Sequence, residues 1–249
     1  MGKGLQRTVL AILFLLGLAV FCFPYAQGFL VKREMASTVQ TFQEQKETQP
    51  TTSVVIPDST QPTEQRQYAD LWVDMTAYND TIFTQGQSGL SCKLDYQQPS
   101  FRLADYGLKE EVFGLLTIPA MELEMPIYLG ATEQHMADGA AHLSQTSLPI
   151  GGTNTNSVIA GHRGYGGASY FRYIDKLQIG DTVTVTNLWE QLIYRVAEIK
   201  IIYPYEVEEI LIQPGRELLT LLTCHPYASG GKQRYLVICE RVYQEDNYG

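Results

Sequence analysis

The sequence predicts a mainly β domain whose strands close into a barrel, carried behind an N-terminal helical extension. Three observations lead there. After Gly107 the chain breaks into seven or eight short apolar or alternating runs, turn residues punctuate those runs, and the first hundred residues instead have helical or linker texture. Strands at such spacing rid themselves of exposed edges by closing on one another. With 249 residues, 45% of them hydrophobic, the chain can bury one well-cored domain plus a flanking segment, and it is too short for several.

The elements follow in chain order. Residues 8–31 carry no charged side chain, and Lys3 and Arg7 precede them while Lys32 and Arg33 follow. That length spans roughly 30 Å of hydrocarbon. Residues 1–33 therefore read as a retained membrane anchor rather than a cleaved signal peptide. The small residues of Ala26-Gln27-Gly28 would suit cleavage, but the apolar run is long and Phe23-Pro24-Tyr25 resembles an interfacial aromatic belt. Without a second apolar run the expected topology is single-pass, with the body of the protein outside the cytoplasm. Residues 34–67, rich in Gln, Thr, Glu and Ser and broken by Pro50, Pro57 and Pro62, read as a stalk or loosely helical linker.

Residues 68–111 read as a helix and loop flanking the barrel. Leu71, Trp72, Met75, Tyr78, Ile82 and Phe83 recur at three- and four-residue steps, which predicts a helix over 63–83 with Thr63 as N-cap, ended by Gly86-Gln87-Ser88-Gly89. The barrel itself is expected over 112–243, with strands at 112–118, 123–128, 157–161, 182–186, 191–203, 218–223 and 235–242. Pro119-Ala120-Met121, Gly151-Gly152 and Gly180-Asp181 mark turns, and 132–142 and 169–177 read as short helices. A polar tail, 244–249, closes the sequence. The net charge of −9 and the lack of a basic run argue against a nucleic-acid partner.

The chemistry is sought among the cysteines. Cys22 lies in the apolar segment, which leaves Cys92, Cys224 and Cys239 for an exported domain. An odd number there leaves at least one thiol unpaired within the chain, and a Cys92 to Cys239 disulfide is one open pairing. Cys224 stands where the apolar run Leu221-Leu222-Thr223 stops and Pro226 forbids its continuation, so a strand end would present the thiol to solvent. Val158-Ile159-Ala160-Gly161-His162 is a second apolar strand ending on a titratable residue. A histidine beside a cysteine can exchange a proton with it and then with a leaving amine. Arg234 opens the strand after Cys224, across a loop that would return it to the side of the thiol. Its fixed charge and five donors suit a carbonyl or the oxyanion formed on attack. Arg163 competes for that role. His135 and His142 fit packing roles, and His225, the next residue after the thiol, would point to the opposite side of the strand. Each residue alone fits a structural role better than a catalytic one.

Taken together, Thr220-Leu221-Leu222-Thr223-Cys224, the upstream Gly161-His162-Arg163-Gly164 and Arg234-Tyr235-Leu236-Val237 resemble the sortase family of Gram-positive surface transpeptidases, over roughly residues 110–242. The resemblance implies an eight-stranded sortase-type β-barrel with short helices and an N-terminal helical extension. It makes Cys224 the nucleophile, His162 the general acid/base, Arg234 the carbonyl and oxyanion partner, and Thr223 a substrate-contacting neighbour. It implies no metal or organic cofactor for the chemistry, although some sortases use calcium. Its partners would be proteins bearing a Leu-Pro-x-Thr-Gly-like sorting signal, and an amine acceptor that is a pilin lysine or a cell-wall precursor. Gly161-His162-Arg163-Gly164-Tyr165, the short connection 203–217 and Cys224-His225-Pro226-Tyr227 look most like class C, the pilin polymerases. Two departures stand out. No Asp-Pro-aromatic lid tripeptide occurs in 68–111, so a lid is expected to be absent or built differently from residues 86–107, and no C-terminal apolar helix follows the barrel. A non-catalytic surface or pilus protein would need its own sorting signal followed by an apolar tail, and Leu148-Pro149-Ile150-Gly151 lies mid-chain without one. A cysteine protease would share the thiol and differ in which nucleophile resolves the thioester.

Overall fold

The computed structural model of the chain describes residues 2–48, 67–87, 90, 98–109 and 111–243. Cys92, most of the segment read as stalk, part of the region read for a lid and the tail 244–249 lie outside the described residues, and the helix read over 63–83 begins at Ala69 with Tyr68, not Thr63, at its N-cap.

Eight strands close a barrel: β1 (Val112–Ile118), β2 (Leu123–Leu129), β3 (Ala140–His142), β4 (Thr155–Ala160), β5 (Thr182–Asn187), β6 (Gln191–Ile202), β7 (Glu217–His225) and β8 (Gln233–Arg241). Around the barrel the order is β1-β2-β3-β4-β7-β8-β6-β5, with β5 pairing back onto β1. The β2/β3 and β4/β7 pairs are parallel and the other pairs antiparallel. Alternation along each strand sends one set of side chains inward, where Leu116, Ile127, Ile159, Val185, Leu221 and Val237 meet in the interior. The other set meets helices and loops outside. Val158, Ala160, Leu222 and Leu236 form one such outer cluster with Ile202 and Ile210.

Among the described residues three α-helices accompany the barrel: α1 (Lys3–Thr48), α2 (Ala69–Thr84) and α3 (Glu133–Asp138). Most of the apolar part of α1 is exposed, and among the described residues α1 alone is long and apolar enough to cross a membrane. Its second half lies along the barrel. Val31, Met35, Val39 and Phe42 recur at four- and three-residue steps and form one helical stripe. Val39 and Phe42 are buried with Val112, Leu115 and Tyr128, and burying each contributes about 1.5–3 kcal/mol. Lys46 Nζ donates to the Asn187 carbonyl at 2.8 Å and ties the far end of α1 to the β5–β6 turn. α2 is pinned by Asn79, which accepts from the Leu148 amide at 2.7 Å and donates back to the Leu148 carbonyl.

Two segments read as short helices differ in the structure. Over 132–142 the helix ends at Asp138, Gly139 is fully extended, and Ala140–His142 form β3. Ala140 joins the interior cluster and Ala141 the outer one, which is strand alternation compressed into three residues. Over 169–177 the chain makes turns and one short 3-10 turn at Ile174–Lys176. The spacing of Phe171, Ile174 and Leu177 belongs to a plug that fills the barrel interior, not to a helix face.

β3 also places His142 wholly inside the protein. Its Nε2 donates to the Ser147 carbonyl at 2.9 Å, Nδ1 has no partner, and burial pushes its pKa down to about 4. The unfolded chain takes up a proton at His142 near pH 6.5 that the folded chain refuses until about pH 4. Stability from this group is therefore complete above about pH 6.5 and is lost as the pH falls through that window, by about 3 kcal/mol in all. Urea midpoints of the wild-type chain and His142→Asn, compared at pH 7 and pH 4.5, are expected to show a shallower acid loss in the variant.

Candidate active site

The parallel pairing of β4 with β7 ends at Ala160 opposite Leu222, and the Gly161 amide continues it by donating to the Leu222 carbonyl at 3.1 Å. His162 and Cys224 each stand two residues beyond that last pair. On the other side of β7, Cys224 pairs directly with Arg234 of β8. Strand parity puts all three side chains on one face. Ala160, Leu222 and Leu236 share the outer cluster, so Cys224, two further along β7, and Arg234, two earlier in β8, project on that outer side, and His162, carried past the end of β4 by the Gly161 pairing, continues the same alternation. His162, Cys224 and Arg234 thus come together at one end of the barrel.

Cys224 is exposed, whereas Cys239 is free and buried in the interior, where burial pushes its thiol pKa far up. Burial of that kind makes Cys239 inert and leaves Cys224 as the accessible thiol of the barrel. The β7–β8 loop folds back over the thiol. A Cβ built on Gly231 would lie 3.2 Å from Cys224 Sγ and 3.1 Å from Arg234 Nη1, so sulfur and guanidinium flank the same backbone position. Arg234 Nη1 donates to the Gly231 carbonyl at 2.6 Å, which steadies both loop and guanidinium.

His162 is half-buried, and burial lowers its pKa from the ordinary 6.5. Among the described residues no hydrogen bond orients its imidazole. Aromatic stacking does so: the Tyr165 ring lies nearly parallel at 4.5 Å between centroids, and Tyr170 meets it edge-on at 6.2 Å. Thr223 points inward, and its buried hydroxyl donates to the Gly161 carbonyl at 2.7 Å. That bond fastens the last residue before the thiol to the last residue before the imidazole.

The structure also gathers a group that the sequence reading did not assemble. Arg163 is buried; its Nη1 donates to His225 Nδ1 at 2.7 Å, its Nη2 lies 3.5 Å from Asp175, and its guanidinium sits 5.4 Å from the Tyr235 ring. His225 is engaged there, its pKa lowered by burial and then by the Arg163 charge. Alternation between neighbours was the available signal: Arg163 follows His162, and His225 follows Cys224, so both turn to the other side of their strands. The two arginines have separate surroundings, Arg234 against the thiol loop and Arg163 under the strand ends. His135 is spent on the Gly130 carbonyl at 2.8 Å and on Glu111 at 3.2 Å.

On the expectation that Cys224 attacks a carbonyl, Arg234→Ala lowers kcat by about 10²–10³-fold with little change in KM, because its donors would serve charge that develops only on attack. Steady-state kinetics of that variant and of Arg234→Lys check this. A mere rise in KM would assign the guanidinium to ground-state binding.

Comparison with known proteins bears on this geometry. Residues 116–242 match the family model described as Sortase domain. The chain is 28% identical over 131 residues to sortase D of Bacillus subtilis, covering 52% of this chain and 63% of that protein. It is 32% identical over 117 residues to sortase A of Streptococcus agalactiae, covering 45% and 47%. The chain thus matches less than two thirds of the length of these curated relatives. Among solved structures, sortase C1 of GBS Pilus Island 1 superposes with a TM-score of 0.67 at 28% identity, over 85% of this chain and 94% of that one. Sortase C of Streptococcus pneumoniae, whose structure bears on pilin substrate specificity, gives 0.60 at 29% identity over 83% and 96%. Sortase C-1 of Actinomyces oris gives 0.61 at 31% identity over 71% and 99%.

Proposed function

This chain belongs to the sortase family, and on that premise we propose that it is a membrane-anchored cysteine transpeptidase that joins pilin subunits outside the cytoplasm. The observation that carries the reading is the convergence of Cys224, His162 and Arg234 on one face at one barrel end, with Cys224 exposed there. In domain terms, 1–33 is the anchor, the helical segment behind it packs along the barrel, and 112–243 is the catalytic unit.

The reaction runs in two halves. Cys224 passes its proton to His162, and the thiolate attacks the Thr carbonyl carbon of a Leu-Pro-x-Thr-Gly-like segment. Arg234 holds the oxygen as it becomes negative. The C–N bond to glycine then breaks, His162 protonates the departing amine, and a thioester to Cys224 remains. A neutral acceptor amine attacks that thioester, gives its proton to His162 and releases the thiolate, which takes the proton back. Thr223, which the resemblance made a substrate contact, is buried, and its hydroxyl bond to Gly161 gives it instead a positioning role that keeps the two strand ends in step.

The likeness to three sortase C structures favours a pilin lysine as acceptor. Sequence relatives named sortase A favour a second reading, in which the acceptor is the peptide branch of a cell-wall precursor. Incubation of the enzyme with purified candidate pilin is expected to give a Cys224-dependent ladder of covalent oligomers. Transfer to a cell-wall amine with no ladder would establish the second reading instead.

A further inference from the structure

The loop that follows His162 touches α1 inside its charge-free stretch. A Cβ built on Gly28 would lie 2.5 Å from the Gly167 carbonyl oxygen, and one built on Gly167 would lie 2.5 Å from the Pro24 carbonyl oxygen. Helix and loop therefore meet backbone to backbone, with no side chain between them. The nearest charges on α1 in the direction of the barrel are Lys32 and Arg33. Pro24 and Gly28 stand eight and four residues before Lys32, about 12 and 6 Å nearer the bilayer interior at 1.5 Å per residue. The barrel occupies the opposite part of the helix, from Val31 to Lys46. The end of the barrel that bears His162 is thus the end beside the apolar segment.

The loop's composition suits that depth. Residues 164–171, Gly-Tyr-Gly-Gly-Ala-Ser-Tyr-Phe, carry no charge; 165–167 are exposed, Ala168, Tyr170 and Phe171 turn into the barrel interior, and Arg172 follows as Lys32 follows the apolar stretch of α1. Tyr165 is 47% exposed at the tip and stacks on His162 with its other face. Arg172 lies over the ring of Tyr227, which is itself half exposed on the neighbouring β7–β8 loop. An uncharged turn with tyrosines and a flanking cation has the chemistry of the membrane–water interface.

We propose that the exposed turn 165–167 rests in the lipid headgroup region of the membrane that α1 spans, with Tyr165 as its interfacial side chain, so that His162 and Cys224 stand at the bilayer surface. This rests on reading α1 as a retained anchor. A substrate tethered to the same membrane then presents its cleavage segment at the level of the thiol, without rising the height of the barrel.

The test uses the full chain carrying Tyr165→Trp, reconstituted in vesicles whose lipids are brominated high on the acyl chain. Trp72 and Trp189 pack on each other beside the β5–β6 turn, which Lys46 ties to the far end of α1, and serve as the internal control. Flotation with the vesicles reads the anchor, and quenching reads the docking. The expected result is co-flotation with loss of most of the emission that the introduced indole adds, while the wild-type chain is scarcely quenched. Co-flotation with no quenching beyond wild type overturns the docking and leaves the anchor standing. Failure to co-float overturns the anchor and the docking with it.

Discussion

Replacing Cys224 with alanine is expected to abolish both transfer and hydrolysis of a sorting-signal peptide, a loss of at least about four orders of magnitude. The size follows from the role. With no sulfur there is no thioester, and Arg234 and His162 are left around a methyl group that cannot attack. The fold is expected to survive, because Cys224 is exposed at a strand end and the barrel interior is built from other residues. Peptide cleavage by mass spectrometry, with thermal unfolding as the control, checks both halves. Activity retained by a folded Cys224→Ala chain would end the transpeptidase reading.

His162→Ala is expected to lower kcat by about 10²–10⁴-fold with KM nearly unchanged, since the imidazole moves protons rather than gripping substrate. The loss should shrink when the scissile amide is replaced by an ester, whose alcohol leaves with less need of a proton donor. Equal losses on amide and ester would instead make His162 a structural residue. Burial lowers the pKa of His162 below 6.5, so at neutral pH it stands ready to accept the thiol proton. The acid limb of kcat/KM in the wild-type enzyme is accordingly expected below pH 6.5, with activity lost as the pH falls through that lowered value.

The strands of the barrel were largely legible because each long run alternates or is continuously apolar and ends on turn residues. β3 was not, since Ala140–His142 is three residues long and no periodicity shows in three residues. The plug of Phe171, Ile174 and Leu177 mimics helical spacing, because an interior surrounded by strands accepts side chains from turns as readily as from a helix. The stripe Val31, Met35, Val39 and Phe42 was available but diluted by the Gln, Thr and Glu between its members, so the segment read by composition as a linker. At the candidate site, positions at strand ends pointed to Cys224, His162 and Arg234 one by one. Their sharing of a face depends on the β4/β7 parallel register, a pairing of segments some sixty residues apart that local pattern does not encode. The contacts of Arg163 with His225, Asp175 and Tyr235 were illegible for the same reason.

In the proposed reaction Cys224 carries the acyl group. Incubating the enzyme with a sorting-signal peptide in the absence of any amine acceptor, quenching in acid and digesting it locates that group by mass. The expected result is an acyl adduct on the fragment containing Cys224, released by hydroxylamine as a thioester should be. Cleavage of the peptide with Cys224 unmodified throughout, or an adduct on any other residue, would contradict it.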